Sequence, residues 1–151
     1  MPIIPALNPD VAIIHVHQAD IYGNARVFGT GISDAESALA SKKVIVTAEE
    51  IIDTAEIRRN PGATTIPYYA VDAVIHSPYG SYPGTCPGYY GSDPEGVFEI
   101  FRAIMSDQVQ AYLDKWVRPF ETFAQMLETR VGAAKLEEMR ARETAKDGYS
   151  A

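Results

Sequence analysis

The feature that most constrains the fold is the unbroken β-branched run Val44–Thr47 in the segment KVIVTAEEII. A strand that is exposed on one face alternates apolar and polar residues, whereas a continuous apolar run is typical of a strand covered on both faces. Strands of that kind occur mainly in parallel sheets, which carry helices on their faces. We therefore predict a central, parallel strand here, in a protein of the α/β class.

Strand and turn signals precede this run. The segment VAIIHVHQA, residues 11–19, is rich in strand formers, and the Gly-Asn pair of DIYGN, residues 20–24, suits the positive φ angles of a turn. We predict a hairpin into ARVFG, residues 25–29. Ser33 and Glu36 in SDAESALASK then have the spacing of a capping box, which predicts a short helix with lysines at its C-terminal end.

Further elements follow the central strand. TAEIRRNPG, residues 54–62, favours a short helix or turn that Asn-Pro-Gly ends, and IPYYAVDAVIHSP, residues 66–78, favours a strand bounded by prolines. Residues 79–96, YGSYPGTCPGYYGSDPEG, form a long loop rich in glycine, proline and tyrosine. Such a loop is either functional, including as an interface element, or a coil packed on its own core, and both alternatives stay open.

The hydrophobic period becomes helical from Pro94 onwards. Apolar residues then recur at three- and four-residue spacing, and Pro119 separates the second predicted helix from the third. The apolar positions are Val97, Phe98, Phe101, Ile104, Met105, Val109, Tyr112, Leu113, Trp116, Val117, Phe120, Phe123, Met126, Leu127 and Val131. The tail AAKLEEMRARETAKDGYSA has few apolar anchors, so we expect a solvated helix that frays or docks on another element, with a disordered end.

Composition narrows the class of protein. With 151 residues, 46% of them hydrophobic, the chain can form one core, so one domain is the default. The net charge of −7 and the scattered cations argue against a nucleic-acid partner and an anionic membrane surface. The absence of a long apolar run and of a basic N-terminal signal predicts a cytoplasmic protein, and the single Cys86 cannot form an internal disulfide.

Histidines supply the first candidate chemistry. In a strand, His15 and His17 point the same way, which is a spacing that a metal site can use. His76 is the third and last histidine of the chain, and two strands could bring all three together around zinc. The alternative is hydrogen bonding at strand ends or pocket lining, which the absence of a supporting carboxylate-histidine motif favours.

Three other motifs could bind or react. GTGIS, residues 29–33, precedes a helix and loosely resembles a phosphate loop, but it lacks the Walker lysine. Glu49 and Glu50 follow the predicted strand, where one could act as nucleophile or base, or where both could simply begin a helix.

Arg58 and Arg59 form the last of these motifs. They offer guanidinium groups for a carboxylate or a phosphate, but adjacent residues on a helix do not face the same way. At most one of them should therefore point into a site. The alternative is a surface salt bridge.

Four blocks of the sequence resemble a known family. They are PDVAIIHVHQADIYGNARVFG, KKVIVTAEEIIDTAEIRRNPG, IPYYAVDAVIHSPYGSYPGTCPGYYGSD and AYLDKWV. In this order they resemble the C-terminal half of the A subunit of family I coenzyme A transferases, and in particular of glutaconate coenzyme A transferase. The resemblance implies a three-layer α/β/α fold with a largely parallel sheet, of the NagB/RpiA/CoA-transferase-like class. It also implies two regions, residues 1–117 as the A-subunit-like domain and residues 118–151 as a helical C-terminal extension with a disordered end.

The reaction of that family moves coenzyme A between an acyl thioester and a free carboxylate, such as a dicarboxylate, through an enzyme-bound glutamyl-coenzyme A. In two-subunit members the attacking glutamate lies on the B subunit, in a Ser-Glu-Asn-Gly-like motif that this chain lacks, so Glu49 and Glu50 should not inherit its role. The resemblance therefore implies no catalytic residue and no metal ligand in this chain, no permanently bound cofactor and a coenzyme A thioester as substrate. The implied partners are a polypeptide that supplies the missing N-terminal half and, beside it, a B-type subunit; the isolated chain should be inactive.

Candidate residues for a substrate pocket or subunit interface follow from the same resemblance. In the family, an Ala-Asp-x-x-Gly-Asn turn ends a strand close to the subunit interface, and Asp20, Gly23 and Asn24 match it. The full set of candidates is His15, Gln18, Asp20, Gly23, Asn24, Glu49 and Tyr79. Two alternatives to a transferase remain: a related hydrolase or decarboxylase acting on a coenzyme A thioester, and a non-catalytic assembly module.

Overall fold

The computed structural model describes residues 7–29 and 31–144, and the run Val44–Thr47 lies in the middle of its sheet. The strands are β1 (Ala12–Ala19), β2 (Ala25–Arg26), β3 (Val44–Ile51) and β4 (Ala73–His76), in the order β2-β1-β3-β4. β3 pairs in parallel with β1 on one side and with β4 on the other, while β2 is antiparallel to β1. The predicted central, parallel strand and the predicted hairpin after β1 are therefore confirmed.

The chain forms two compact units, the first ending at Gly80 and the second beginning at Ser81. The sheet belongs to the first unit. The predicted division between residues 117 and 118 rests on family resemblance and stays a prediction. No helix in the described part of the chain has both the length and the apolar character needed to cross a membrane.

One face of the sheet carries the core of the first unit. Ile14, Val16, Val46 and Ala48 are buried there and pack with Ala38 of helix α1 (Asp34–Ala40). These side chains exclude water from the centre of the sheet, which is the main source of its stability. The opposite face is different, because Ile13 at the start of β1 is 71% exposed and Ile75 on the edge strand β4 is 49% exposed. An apolar sheet surface therefore remains open to solvent.

Helix α1 begins differently from the prediction. Ser33 adopts a left-handed backbone conformation, with φ of 62°, and its side chain makes no capping hydrogen bond, so the predicted capping box is wrong. The helix also ends at Ala40, before the lysines. Lys42 and Lys43 instead pair with Asp10 and Asp72, because those carboxylates lie within reach of their ammonium groups.

The remaining elements of the first unit follow turn chemistry. Helix α2 (Thr54–Arg59) is capped by Asp53, whose carboxylate accepts a hydrogen bond from the Ala55 amide at 2.7 Å. The predicted strand over residues 66–78 is shorter than expected. Its first part bonds with Ala25 and then turns as a 3₁₀ helix over Tyr68–Ala70, so that only β4 joins the ladder.

The second unit is helical, as the period after Pro94 predicts. It contains α3 (Pro94–Met105), α4 (Val109–Trp116), α5 (Phe123–Arg130) and α6 (Ala133–Thr144). Pro119 falls between α4 and α5, as expected. α6 docks through Met139, which is fully buried, and the end of the tail predicted to be disordered lies outside the described residues.

The long loop before α3 packs on itself over the part that belongs to the second unit. Cys86 and Tyr90 are buried and pair as an antiparallel bridge, and the Ser81 amide donates to the Tyr90 hydroxyl at 2.9 Å. These contacts favour the alternative of a self-packed coil. They also account for the buried cysteine.

Candidate functional site

Glu49, near the end of β3, lies beside His15 on the neighbouring strand β1. The Nε2 atom of His15 is 2.7 Å from Oε1 of Glu49, and Nδ1 of His15 is 2.9 Å from the hydroxyl of Thr47. A carboxylate only accepts hydrogen bonds, so Nε2 of His15 carries the proton in this contact. Parallel pairing of β1 with β3 places His15 opposite Thr47, which explains why the three side chains meet.

Two backbone amides complete the surroundings of the Glu49 carboxylate. The Tyr79 amide donates to Oε2 at 2.7 Å, and the Gly80 amide donates to Oε1 at 3.0 Å. The side chain of Glu49 is only 4% exposed, so these bonds replace the water that a carboxylate requires. This cradle, formed by His15, Tyr79 and Gly80, holds the carboxylate as an acceptor.

Gly80 is required in this cradle for a steric reason. A Cβ atom at this position would lie 2.3 Å from Cε1 of His15 and 2.9 Å from the carbonyl oxygen of Ser77. Tyr79 reaches its position with φ of 60°, in the left-handed region. The turn that ends the first unit is therefore shaped to bring two amides onto Glu49.

The two adjacent glutamates have different surroundings. The sequence placed Glu49 and Glu50 after the strand or at the start of a helix. Both placements are wrong, because both residues lie within β3. Successive residues of a strand face opposite sides, so the two carboxylates point in different directions. Glu49 is buried because His15 and the turn at Tyr79 and Gly80 lie over it, whereas Glu50, near the end of the strand, is exposed and accepts a hydrogen bond from Gln18 at 2.9 Å.

The histidines bond to protein groups in the structure. His17 is buried, accepts a hydrogen bond from the Phe28 amide at 3.1 Å and packs its ring 5.0 Å from that of Phe28. Nε2 of His76 lies 3.2 Å from the carbonyl oxygen of Glu49. In the part of the chain that the structure describes, no group of potential metal ligands combines His15, His17 and His76. The geometry thus favours the hydrogen-bonding alternative for all three.

Asp20 organises the turn between β1 and β2. It is fully buried, and its Oδ1 accepts from the amides of Tyr22 and Asn24 at 3.0 and 2.9 Å, while Oδ2 accepts from the Asn24 side chain at 2.9 Å. Burial alone would raise the pKa of Asp20, but hydrogen bonds from Asn24, Thr54 and Tyr22 outweigh burial and hold this pKa below its ordinary value.

Gly23 supplies the conformation that this turn needs. Its φ is 101°, and an added Cβ would lie 2.8 Å from Cβ of Val71. Asn24 then connects the turn to the 3₁₀ helix, because its Oδ1 accepts from the Tyr68 amide at 3.2 Å. Asp20, Gly23 and Asn24 therefore form one rigid unit at the carboxyl end of β1.

A crevice opens beside this turn. It has a volume of about 440 Å³ and is lined by Tyr22, Asn24, Thr54, Ile57, Arg58, Pro61 and Tyr68. The turn follows β1 and α2 follows β3, so the crevice lies outside the carboxyl ends of two neighbouring parallel strands, where α/β proteins place ligands.

The seven predicted site residues thus divide into three places. His15, Glu49 and the backbone of Tyr79 meet in the cradle, and Asp20, Gly23 and Asn24 form the turn. Gln18 lies near the end of β1, where its side chain bonds to the exposed Glu50. Sequence reasoning missed Thr47, Gly80, Tyr22 and Tyr68. Pairing the continuous run in register with residues 12–19 could have found Thr47, since it is the direct neighbour of His15.

The glycine-rich segment GTGIS does not form a described phosphate site. Thr30 lies outside the described residues, and α1, which follows the segment, has only seven residues. The hypothesis that GTGIS contacts a phosphate stays a prediction.

Comparison with known proteins identifies the class. The family model described as Coenzyme A transferase matches residues 3–77, which span the whole sheet. Glutaconate coenzyme A-transferase from Acidaminococcus fermentans has a crystal structure that superposes with a TM-score of 0.79 at 36% identity, over 87% of this chain and 41% of that one. With its mostly parallel sheet and helices, the chain belongs to the coenzyme A transferase family, and its fold is consistent with the predicted three-layer α/β/α class.

Within this family, the chain is a relative of A subunits. It is 37% identical over 135 residues to the A subunit of glutaconate CoA-transferase from Acidaminococcus fermentans, covering 88% of this chain and 42% of that relative. It is 35% identical over 124 residues to the A subunit of 3-oxoadipate CoA-transferase from Pseudomonas knackmussii, covering 81% of this chain and 43% of that relative. The chain therefore spans well under half the length of these relatives.

Two more distant similarities concern other activities. The cholesterol ring-cleaving hydrolase IpdA subunit of Mycobacterium tuberculosis is 31% identical over 97 residues, which is 61% of this chain and 32% of that relative. A crystal structure of the decarboxylase AibA/AibB superposes with a TM-score of 0.59 at 29% identity, over 74% of this chain and 40% of that one.

Proposed function

We propose that this chain forms part of the A component of a coenzyme A transferase that moves coenzyme A between an acyl thioester and a carboxylate. The observation that carries the proposal is the Glu49 cradle. A nucleophilic carboxylate needs a free oxygen that can reach the thioester carbon. Both oxygens of Glu49 instead accept hydrogen bonds inside the first unit, which supports a catalytic glutamate on a B-type partner.

The work of this chain would then be positioning. The cradle fixes the turn at Tyr79 and Gly80 beyond the end of β4, and the Asp20 turn fixes the backbone beyond the end of β1. Both turns lie at the carboxyl end of the sheet, where they would form part of the wall of a substrate pocket or of the surface that meets the B-type subunit. No permanently bound cofactor is part of this proposal, and the coenzyme A thioester enters as substrate.

The open face of the sheet supports a further partner. Ile13 on β1, Ile45 on β3 and Ala73 on β4 lie side by side in register, and Ile13 and Ala73 are exposed. Parallel sheets are normally covered on both faces, and an exposed apolar patch of this kind marks an interaction surface. We propose that the rest of the A-subunit fold covers this face and that the active assembly is a hetero-oligomer.

Reconstitution tests the proposed function. The chain would be combined with a polypeptide that supplies the rest of the A-subunit fold and with a B-type subunit, and then given acetyl-coenzyme A and glutarate. Mass spectrometry should detect glutaryl-coenzyme A only in the complete assembly, and replacing the nucleophilic glutamate of the B-type subunit should abolish it. Thioester turnover by the isolated chain, with a nucleophile mapped among its own residues, would refute the proposal.

A hydrolase or decarboxylase is the second candidate. Two similarities favour it: the structure resembles that of the decarboxylase AibA/AibB, and the sequence resembles that of the cholesterol ring-cleaving hydrolase IpdA subunit. In the same assay, a hydrolase would consume the thioester without an acceptor acid, and a decarboxylase would release carbon dioxide. Transfer to glutarate without either product would exclude both.

The third candidate, a non-catalytic assembly module, makes a different prediction. A stable monomer that binds neither coenzyme A thioesters nor a B-type subunit would favour it. Sedimentation of the chain with and without the B-type subunit measures this directly. The cytoplasmic location predicted from the sequence stays a prediction.

A further inference from the structure

Helix α3 presents apolar side chains on the side that faces away from the interior of the second unit. Gly96 is buried on the inward side. Glu99 accepts hydrogen bonds there, from the Trp116 indole at 2.9 Å and from Arg130 at 2.8 Å. The outward side carries five large apolar side chains that are 44–71% exposed, which we call the α3 stripe: Val97, Phe98, Phe101, Ile104 and Met105.

The α3 stripe is continuous along the helix. Its members recur at intervals of three and four residues, which is the spacing that places side chains on one face. Taking about 150–200 Å² for each side chain when fully exposed, the open apolar area is on the order of 500 Å². The largest apolar patch on a typical monomer is about 300–600 Å² and is often functional. A stripe of this area on one helix therefore indicates an interaction surface.

A second copy of the chain matches this area. A symmetric contact uses the same patch on both copies, so the two stripes together would bury about 1,000 Å². That is the area that a specific interface must reach, and it lies at the lower end of the range for stable complexes. The stripe is therefore large enough for a reversible dimer.

The charges beside the stripe suit the same contact. Glu95 and Arg102 lie seven residues apart, which is close to two helical turns, so they flank the stripe on the same side. The Arg102 guanidinium lies 5.1 Å from the centre of the Phe98 ring, and no acidic side chain among the described residues forms an ion pair with it. The Glu95 side chain bonds to Lys135 at 3.1 Å but is 89% exposed, so it can accept a second cation.

From this arrangement we propose that two copies of this chain pair through the α3 stripe, with the two helices antiparallel about a two-fold axis near Phe101. In such a pair the same flank of each helix meets with its ends reversed, so Glu95 of one copy lies toward Arg102 of the other. Phe101 is central in the stripe and meets its own counterpart at the axis. The proposal goes beyond the proposed function, because it concerns contact between two A-type components and holds whether or not the assembly transfers coenzyme A.

Sedimentation of the full chain over a range of concentrations tests the proposal, and we expect a reversible equilibrium between monomer and dimer. Phe101→Glu should weaken the dimer about 100-fold or more, because it removes the central apolar contact and places two carboxylates beside the axis. The matched control is Val117→Glu, at a site in the same unit that is 53% exposed and outside the stripe, and it should leave the dimer unchanged. The urea midpoint of Trp116 fluorescence checks that the second unit of each variant is folded.

Charge reversal tests the antiparallel direction. Arg102→Glu should weaken the dimer about tenfold, because two attractive contacts become like-charge contacts. Combining it with Glu95→Arg should restore the dimer, since the opposite charges again face each other across the axis. A double variant as weak as Arg102→Glu alone would contradict this arrangement.

Disulfide formation tests the position of the axis. Phe101→Cys should give a covalent dimer in oxygenated buffer, which a reducing agent reverses, whereas Val117→Cys should not. The native Cys86 is 2% exposed and should not contribute. Equal cross-linking of the two variants would place the axis elsewhere and overturn the proposal.

Other outcomes also refute the pairing. They are a wild-type chain that stays monomeric at millimolar concentration, and equal dimerisation of Phe101→Glu and Val117→Glu. A monomer whose binding to a B-type subunit is weakened by Phe101→Glu would assign the stripe to that subunit instead. A dimer without any acyl transfer by the reconstituted assembly would refute the proposed function alone, and transfer by an assembly whose A-type components do not pair would refute this inference alone.

Discussion

Replacement of Glu49 by glutamine tests whether this carboxylate is a structural acceptor. The substitution keeps the size of the side chain but leaves one acceptor oxygen and directs an amide N–H₂ at a donor. If the remaining oxygen stays with His15 and Gly80, the Tyr79 amide loses its partner in a buried site. A hydrogen bond to a charged group contributes about 1.5–3 kcal/mol, and the other two bonds also lose their charge, so we expect a loss of about 2–4 kcal/mol in the stability of the first unit.

The measurement must report on the first unit alone. The only tryptophan, Trp116, lies in the second unit, so its fluorescence does not serve. Hydrogen exchange of peptides from β1 and β3 reports on the first unit. The expected loss of stability corresponds to exchange about 30-fold to 700-fold faster for the most protected amides.

The control for this experiment is Glu50→Gln, one residue along the same strand. Glu50 is exposed, and a surface substitution of this kind changes stability by within about 0.5 kcal/mol. Equal exchange in the two variants would refute the reasoning, because it would mean that the cradle contributes nothing to the fold. So would full protection of β1 and β3 in Glu49→Gln.

Three further predictions concern other contacts. Gly80→Ala should displace His15 and destabilise the first unit by about 1–3 kcal/mol. The control Gly62→Ala should not, because a Cβ has room there. Equal rates of hydrogen exchange in the two variants would contradict this prediction. Because folding lowers the pKa of Asp20, its ionised carboxylate stabilises the fold, fully so above pH about 4. This stabilisation is lost as the pH falls through the pKa of the folded state, so Asp20→Asn should remove part of the acid-induced loss of stability measured by hydrogen exchange. Arg130→Ala should cost the second unit about 1–3 kcal/mol, because the guanidinium, 6% exposed, loses a hydrogen-bonded pair with a partly exposed glutamate. The change should also alter Trp116 fluorescence, since the guanidinium lies 4.9 Å from the indole, and an unchanged urea midpoint would contradict the prediction.

Local patterns predicted the class of fold well. The run Val44–Thr47 predicted a central, parallel strand, and the strand that contains it is central and parallel, although one face of the sheet is open to solvent. The change to a helical period after Pro94 likewise led to helices α3 to α6, with Pro119 between two of them. These signals are reliable because they depend on backbone preference and on burial of one face, both of which act over a few neighbouring residues.

Local patterns failed at two places. The spacing of Ser33 and Glu36 predicted a capping box, but the chain enters α1 through a left-handed residue. The predicted strand over residues 66–78 is interrupted because its first part bonds to Ala25 instead. In this second case a pairing with a distant residue outweighs local propensity.

The sequence by itself therefore determined the α/β class, the order of the elements, the tight turn at Asp20–Asn24 and membership of the coenzyme A transferase family. Only the tertiary structure decided that Glu49 is held in a buried cradle while Glu50 faces solvent, and that Arg58 rather than Arg59 lines a crevice. The physical reason is separation along the chain. The partners of the Glu49 carboxylate lie more than 29 residues away, and their meeting depends on parallel strand register and on the crossover between strands, which no local pattern records.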